Sequence, residues 1–198
     1  MRMHDMFIDV LDSNGRKTGR SVSKKEIHVK GLWFASVHTW TYTSKGELFI
    51  HRRAKQKKAY PGRWGTSFGG HVDAGETPRQ AAVRELFEES GIHAEQRRLK
   101  FLRIRKLVSY APRIHWHSKE FCSIFAYQYD GSLRNIKMQK EKVDKLELIP
   151  LKIFLQEVKR KDMQHTRYLP FDKIYYLDTT RNLLKIGKTG KKKKEATK

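Results

Sequence analysis

Between Gly70 and Ile92 the chain reads GHVDAGETPRQAAVRELFEESGI, and Glu85, Glu88 and Glu89 fall within five residues of one another. Thr77 is a good N-cap, Pro78 suits the first helical position and Gly91 is a good stop, so the spacing predicts a helix from about Pro78 to Ser90. At about 100° per residue the three glutamates share one arc, with Arg84 at its border. Ala82, Val83, Leu86 and Phe87 occupy much of the other side and can face a core. This arrangement puts negative charge in the last helical turn, where the helix dipole disfavours it, and makes Glu85 and Glu89 a like-charge i,i+4 pair. A helix selected for stability alone would carry lysine there. The cluster makes sense if a hard cation neutralises it, because Mg²⁺ takes oxygen ligands and favours sites shared with substrate phosphates.

The stretch resembles the Nudix box, G-x5-E-x7-R-E-U-x-E-E-x-G-U with U a bulky apolar residue. The match holds at Gly70, Glu76, Arg84, Glu85, Leu86, Glu88, Glu89, Gly91 and Ile92. The resemblance implies a loop-helix-loop that binds Mg²⁺ or Mn²⁺ and cleaves a diphosphate linked to another moiety. It extends over roughly residues 6 to 160. FIDVLDSNGRKTG, EIHVKGLWFASVHTWTYTSKGELFIHRRA and YPGRWGTSFGGHVDAGET look like the Nudix branch related to isopentenyl-diphosphate isomerase. Those isomerases use a cysteine in a Cys-Gly-His triplet just before the box. Here the triplet is Gly69-Gly70-His71, and Cys122 lies about fifty residues away. A proton-shuttling isomerase needs an acid and a base on opposite sides of an allyl unit. Without the cysteine, hydrolysis is the better expectation.

The family precedent makes Glu85, Glu88 and Glu89 the expected metal ligands, with the Gly70 carbonyl as a backbone ligand. Arg84 is expected to orient a box glutamate such as Glu76 by a bidentate pair rather than touch substrate. Glu120 aligns with a catalytic or metal-binding glutamate of the isomerase-like relatives, and reads equally as a surface residue at a strand end. His71 is retained from the isomerase-like pattern, where its equivalent helps bind metal; in a hydrolase it also reads as structural. His115 and His117 have the i,i+2 spacing of one strand face and suit a metal if a third ligand exists. Arg52, beside a basic loop, is the candidate for holding a distal phosphate. Trp33, Trp40 and Trp64 are candidates for stacking a base, although strand aromatics are more often core.

At 198 residues the chain is long enough to bury a real core. Turn signals and alternation predict strands at Met6–Val10, Thr18–Ser23, Leu32–Thr43, Glu47–Arg52, Trp64–Phe68, Leu99–Tyr110, Glu120–Tyr129 and Lys145–Ile149. The first two make an N-terminal hairpin. A second helix is expected over Pro150–Arg160, and a final one within the aromatic stretch 165–183. The fold class is therefore α/β, a sandwich with a mixed sheet of the kind the Nudix resemblance implies. Residues 1–184 are read as one domain with a helical C-terminal extension.

No apolar run approaches a membrane span and nothing resembles a cleavable leader. Cys122 is the only cysteine, which fits a reducing, cytoplasmic setting. Net charge is +22, of which the lysine-rich stretch 185–198 accounts for about +6. That stretch reads as a disordered, solubilising tail, with a nuclear address or an RNA-binding arm as alternatives. The excess attracts polyanions without identifying RNA as substrate. Three functions follow: a hydrolase of small diphosphates, an isomerase-like enzyme, or an RNA-binding or RNA 5′-end-processing protein. A homodimer is suggested only by the habit of the relatives.

Overall fold

The structure, a computed structural model, describes residues 6–57, 60–66, 68–160, 163 and 166–195. It divides into two compact units: Met1–Thr39 with Phe68–Phe125, and Trp40–Ser67 with Ala126–Lys198. Both combine strands with helices, so the fold is mixed α/β.

The first unit opens with the expected hairpin, β1 (Phe7–Leu11) and β2 (Lys17–Ser23), paired antiparallel with Ile8 opposite Val22. Asp12 closes its turn by accepting from the amides of Asn14 and Arg16 at 2.8 and 2.9 Å, and Gly15 supplies the positive φ. A short helix, α1 (Lys24–Val29), follows. The sequence gives little sign of it, since it is six residues long and contains β-branched Ile27 and Val29. Ser23 starts it by accepting from the Glu26 amide at 3.2 Å. Ile8, Val10, Val22, Ile27 and Phe34 form a core under this region, with Met6 and Leu32 against it.

β3 (Trp33–Tyr42) begins in this unit and pairs antiparallel with β6 (Phe68–His71), placing Gly70 opposite Val37 and Gly69 opposite His38. Helix α2 spans Pro78–Ser90, the predicted range. Thr77 and Gln80 form a reciprocal capping box, and Gly91 ends the helix in the left-handed region at φ 71°. β7 (Lys100–Ala111) and β8 (Trp116–Gln128) then pair with each other.

In the second unit β4 (Glu47–Arg53) pairs antiparallel with β5 (Trp64–Gly65) on one side and β9 (Val143–Pro150) on the other. Trp64–Phe68 was expected as one strand; Trp64 and Gly65 form β5, Thr66 lies in a bend, Phe68 opens β6, and Ser67 lies outside the described residues. Helix α3 (Leu151–Arg160) follows β9, and α4 spans Lys173–Glu195. The expected tail from residue 185 is thus helical as far as Glu195, and residues 196–198 lie outside the described residues. No helix among the described residues is long and apolar enough to cross a membrane.

Trp40 is fully buried in this unit among Phe154, Tyr175 and Tyr176, and its Nε1–H donates to the Tyr175 hydroxyl at 2.9 Å. Tyr175→Phe leaves that N–H without its acceptor. It should lower unfolding stability by about 1–3 kcal/mol in a denaturant titration.

Candidate active site

Gly70 sets how closely α2 approaches β6. A Cβ on Gly70 would lie 2.6 Å from the Glu85 carboxyl carbon, so the carboxylate occupies the space a side chain at position 70 would need. Glu85 is only 5% exposed. Glu89 accepts from the Gly69 amide at 3.0 Å, while Glu88 is exposed. The buried side of α2 is Ala81, Ala82, Glu85, Leu86 and Ser90. Phe87 was expected to face a core; it is 45% exposed, with the His93 ring 4.4 Å away. The bare Gly69–Gly70 backbone admits part of the acidic side of the helix, and Phe87 is turned outward.

Arg84 ties the segment together. Its Nε and Nη2 donate to the two Glu76 oxygens at 3.1 and 2.8 Å, a bidentate pair. Nη1 donates to Glu85 Oε1 at 3.0 Å and Nη2 to the His71 carbonyl at 3.0 Å. Asp73 and Glu88 each stand 3.6 Å away. Burial works against the guanidinium charge, but the Glu76 hydrogen bonds and the Glu85 and Asp73 charges outweigh it and hold the group firmly protonated. Asp73 is pushed above the usual carboxylate range by burial, with Arg84 opposing. Its Oδ1 is buried with no hydrogen-bond partner among the described residues.

The glutamates and the Gly70 carbonyl are all hard oxygen donors, the chemistry that Mg²⁺ and Mn²⁺ prefer. The space left open at Gly70 brings backbone and carboxylate to one place, so the residues fit such an ion. Among the described residues no three His, Cys, Asp or Glu side chains form a ready-made metal cage. Arg84 engages Glu85, and the Gly69 amide engages Glu89, which holds these carboxylates in separate hydrogen bonds.

A histidine pair missed at the sequence level lies in the same unit. His28 Nδ1 is 2.6 Å from the His117 carbonyl, and His28 Nε2 is 2.8 Å from His71 Nε2. The carbonyl can only accept, so Nδ1 carries the hydrogen. Burial lowers the pKa of His28, which leaves its Nε2 as acceptor and His71 Nε2–H as donor. Trp116 stacks on His28 at 4.1 Å and Phe34 on His71 at 4.8 Å. His28 sits in the short helix that the sequence hides, which is why this pair escapes sequence reading. His115 and His117 do not share a strand face: His115 has φ 47° in the turn before β8, and His117 stacks on Tyr110 at 4.3 Å.

Glu120 lies on β8, where the Ser118 hydroxyl donates to it at 2.5 Å. Burial pushes the Cys122 thiol well up, and the Glu120 charge adds to this. The His38 ring is held low by loss of solvent, with Glu120 opposing. In the second unit Arg52 donates to Asp144 at 2.8 Å. Trp40 is too buried to stack a ligand, Trp33 packs against Phe121, and Trp64 lies under the Arg167 guanidinium.

The fold is mixed α/β, with the carboxylates of α2 laid against the Gly69–Gly70 strand. The NUDIX domain model matches residues 33–170. An uncharacterised Nudix hydrolase of Clostridium acetobutylicum is 31% identical over 144 residues, covering 71% of this chain and 68% of that protein. Nudix hydrolase 3 of Arabidopsis thaliana is 27% identical over 175 residues, 86% of this chain but 22% of that longer protein. The isopentenyl-diphosphate Delta-isomerase of Corynebacterium diphtheriae is 40% identical over 97 residues, 48% of this chain and 52% of that one. A solved structure from Deinococcus radiodurans shares the fold at a TM-score of 0.60 and 19% identity, covering 89% of this chain and 98% of that one. The chain belongs to the NUDIX domain family.

Proposed function

We propose that this chain is a Mg²⁺- or Mn²⁺-dependent pyrophosphohydrolase. Its substrate is a nucleoside diphosphate derivative or a related small diphosphate. The observation that carries this reading is the meeting of Glu85 and Glu89 with the Gly69–Gly70 backbone, in a box whose Arg84 is fully engaged. Glu85, Glu88, Glu89 and the Gly70 carbonyl are the ligands. The ion, when bound, neutralises diphosphate charge and lowers the pKa of an attacking water. Arg84 holds Glu76, Glu85 and the His71 carbonyl in register and does not touch substrate. Glu120 is the candidate general base, steadied by Ser118. Arg52, expected to hold a distal phosphate, is paired with Asp144 within the second unit. The domain that acts is residues 1–184, in the cytoplasm.

The isomerase alternative meets a steric obstacle. A Cβ on Gly69 would run into the Val37 carbonyl oxygen and lie 3.0 Å from its carbon, both backbone atoms. Restoring the cysteine therefore strains the β3–β6 pair. Gly69→Cys should cost about 1–3 kcal/mol in a urea melt and yield no allylic isomer from isopentenyl diphosphate. Isomer formation by that variant or by the wild type would revive the alternative.

The test of the proposal is a screen of nucleoside diphosphates, nucleotide sugars, dinucleotides, capped RNA and isoprenoid diphosphates. Each is incubated with Mg²⁺, with Mn²⁺ and with EDTA. Metal-dependent cleavage of a small diphosphate supports it. Cleavage of capped RNA alone would move the substrate class, and no cleavage of any member would overturn the reading.

A further inference from the structure

Strand β7 is twelve residues long and, among the described residues, pairs with β8 alone. Its other side therefore presents main-chain amides and carbonyls with no neighbouring strand to take them. The two faces of the strand differ with the period of two. Arg103, Arg105, Leu107 and Ser109 are buried or half-buried, whereas Ile104, Lys106, Val108 and Tyr110 are exposed. Ile104 is 57% exposed, Val108 66% and Tyr110 44%. Tyr110 keeps that exposure while its ring is stacked on His117 at 4.3 Å. The solvent face of an antiparallel strand is ordinarily polar. Exposed apolar side chains scattered singly need no explanation, but a row of them beside an open strand edge does.

Charge selects the occupant. From Leu99 to Lys119 the sequence holds six lysines and arginines and no aspartate or glutamate. Lys106 Nζ donates to the Ser13 carbonyl at 2.7 Å and lies 5.4 and 5.0 Å over the Trp33 and Phe121 rings. Those contacts fix the ammonium without neutralising it. A second copy of the chain suits this edge poorly, because each copy carries +22 and brings the same basic strand. A nucleic acid would match the charge, but it has no use for an open main-chain edge. It also needs aromatic faces for its bases, and the outward row offers Tyr110 alone. An extended acidic peptide uses all three features. Its main chain completes the edge, its alternate apolar side chains cover Ile104, Val108 and Tyr110, and its carboxylates meet the basic strand.

We infer that the open edge of β7 is a docking site for an extended acidic peptide of a partner protein, added to the sheet as a further strand. This goes beyond the hydrolase reading, which uses neither β7 nor its edge.

The experiment uses the full chain in EDTA and three synthetic peptides as long as β7. One alternates valine with glutamate, one valine with lysine, and one glycine with glutamate. Calorimetry measures affinity, and hydrogen–deuterium exchange places the contact. The valine–glutamate peptide is expected to bind, to weaken as salt rises and to slow exchange across residues 100–111. The other two should bind at least about tenfold more weakly. Ile104→Glu combined with Val108→Glu should weaken the valine–glutamate peptide by about tenfold or more. Ile153→Glu, at an exposed apolar residue of the second unit, should leave it unchanged. Thermal melts check folding, and Val108→Glu alone decides if the double variant does not fold. The inference is overturned if the valine–glutamate peptide does not bind at millimolar concentration. It also falls if the valine–lysine peptide binds as tightly, or if the slowed exchange lies outside β7 and β8. A dimer of the peptide-free chain that the double variant dissociates would give the edge to a second copy and overturn it. Slowed exchange in β7 with single-stranded RNA, without peptide binding, would overturn it likewise. Because every titration is metal-free, failure here leaves the hydrolase proposal standing, and the reverse.

Discussion

Glu89→Gln is expected to lose metal-dependent turnover by about 10²–10⁴-fold while keeping its melting temperature. The glutamine carbonyl can still accept from the Gly69 amide, the bond Glu89 makes at 3.0 Å, so the local structure survives. What it lacks is the negative charge that makes Glu89 a ligand for a hard cation. Turnover is read with Mg²⁺ on whichever diphosphate the screen identifies, and a thermal melt is run beside it. A wild-type rate in the variant would remove Glu89 from the site. A large loss of melting temperature would mark its contribution as structural.

Arg84→Ala should have the largest effect on stability. The guanidinium serves two Glu76 oxygens, Glu85 and the His71 carbonyl, with about a quarter of the side chain exposed. Its removal leaves Glu85 and Glu76 partly buried without their counter-charge, which costs about 3–5 kcal/mol in comparable pairs. Urea denaturation measures this directly. Arg84→Lys keeps the charge but cannot fork onto Glu76, and should recover only part of the loss. A variant as stable as wild type would show that the hub does not hold the box together.

Much of this is legible in the residues because local chemistry decides it. Thr77, Pro78 and Gly91 bound α2 without help from the rest of the chain, and the Asp12–Gly15 turn does the same for the first hairpin. Which side of α2 is buried depends on what it meets. The 3.6-residue period alone sets Phe87 with Leu86 against a core. The space left by Gly70 lets Glu85 in, and Phe87 is left exposed. The His28–His71 contact joins residues 43 apart through a helix too short to announce itself. Arg63 meets the Thr166 carbonyl across 103 residues of sequence. Such separations leave no periodic trace. The split of Trp64–Phe68 between β5 and β6 follows from strand partners, since β5 pairs with β4 and β6 with β3.

The central claim is that the box hydrolyses a diphosphate using its glutamates. It is tested most directly by ³¹P NMR of the identified substrate with Mg²⁺ in ¹⁸O-labelled water. With wild-type protein the coupled diphosphate signals should give way to monophosphate signals, one carrying the isotope shift, and with Glu89→Gln they should persist. Conversion of substrate with the P–O–P linkage intact, or equal cleavage by the variant, would contradict the account.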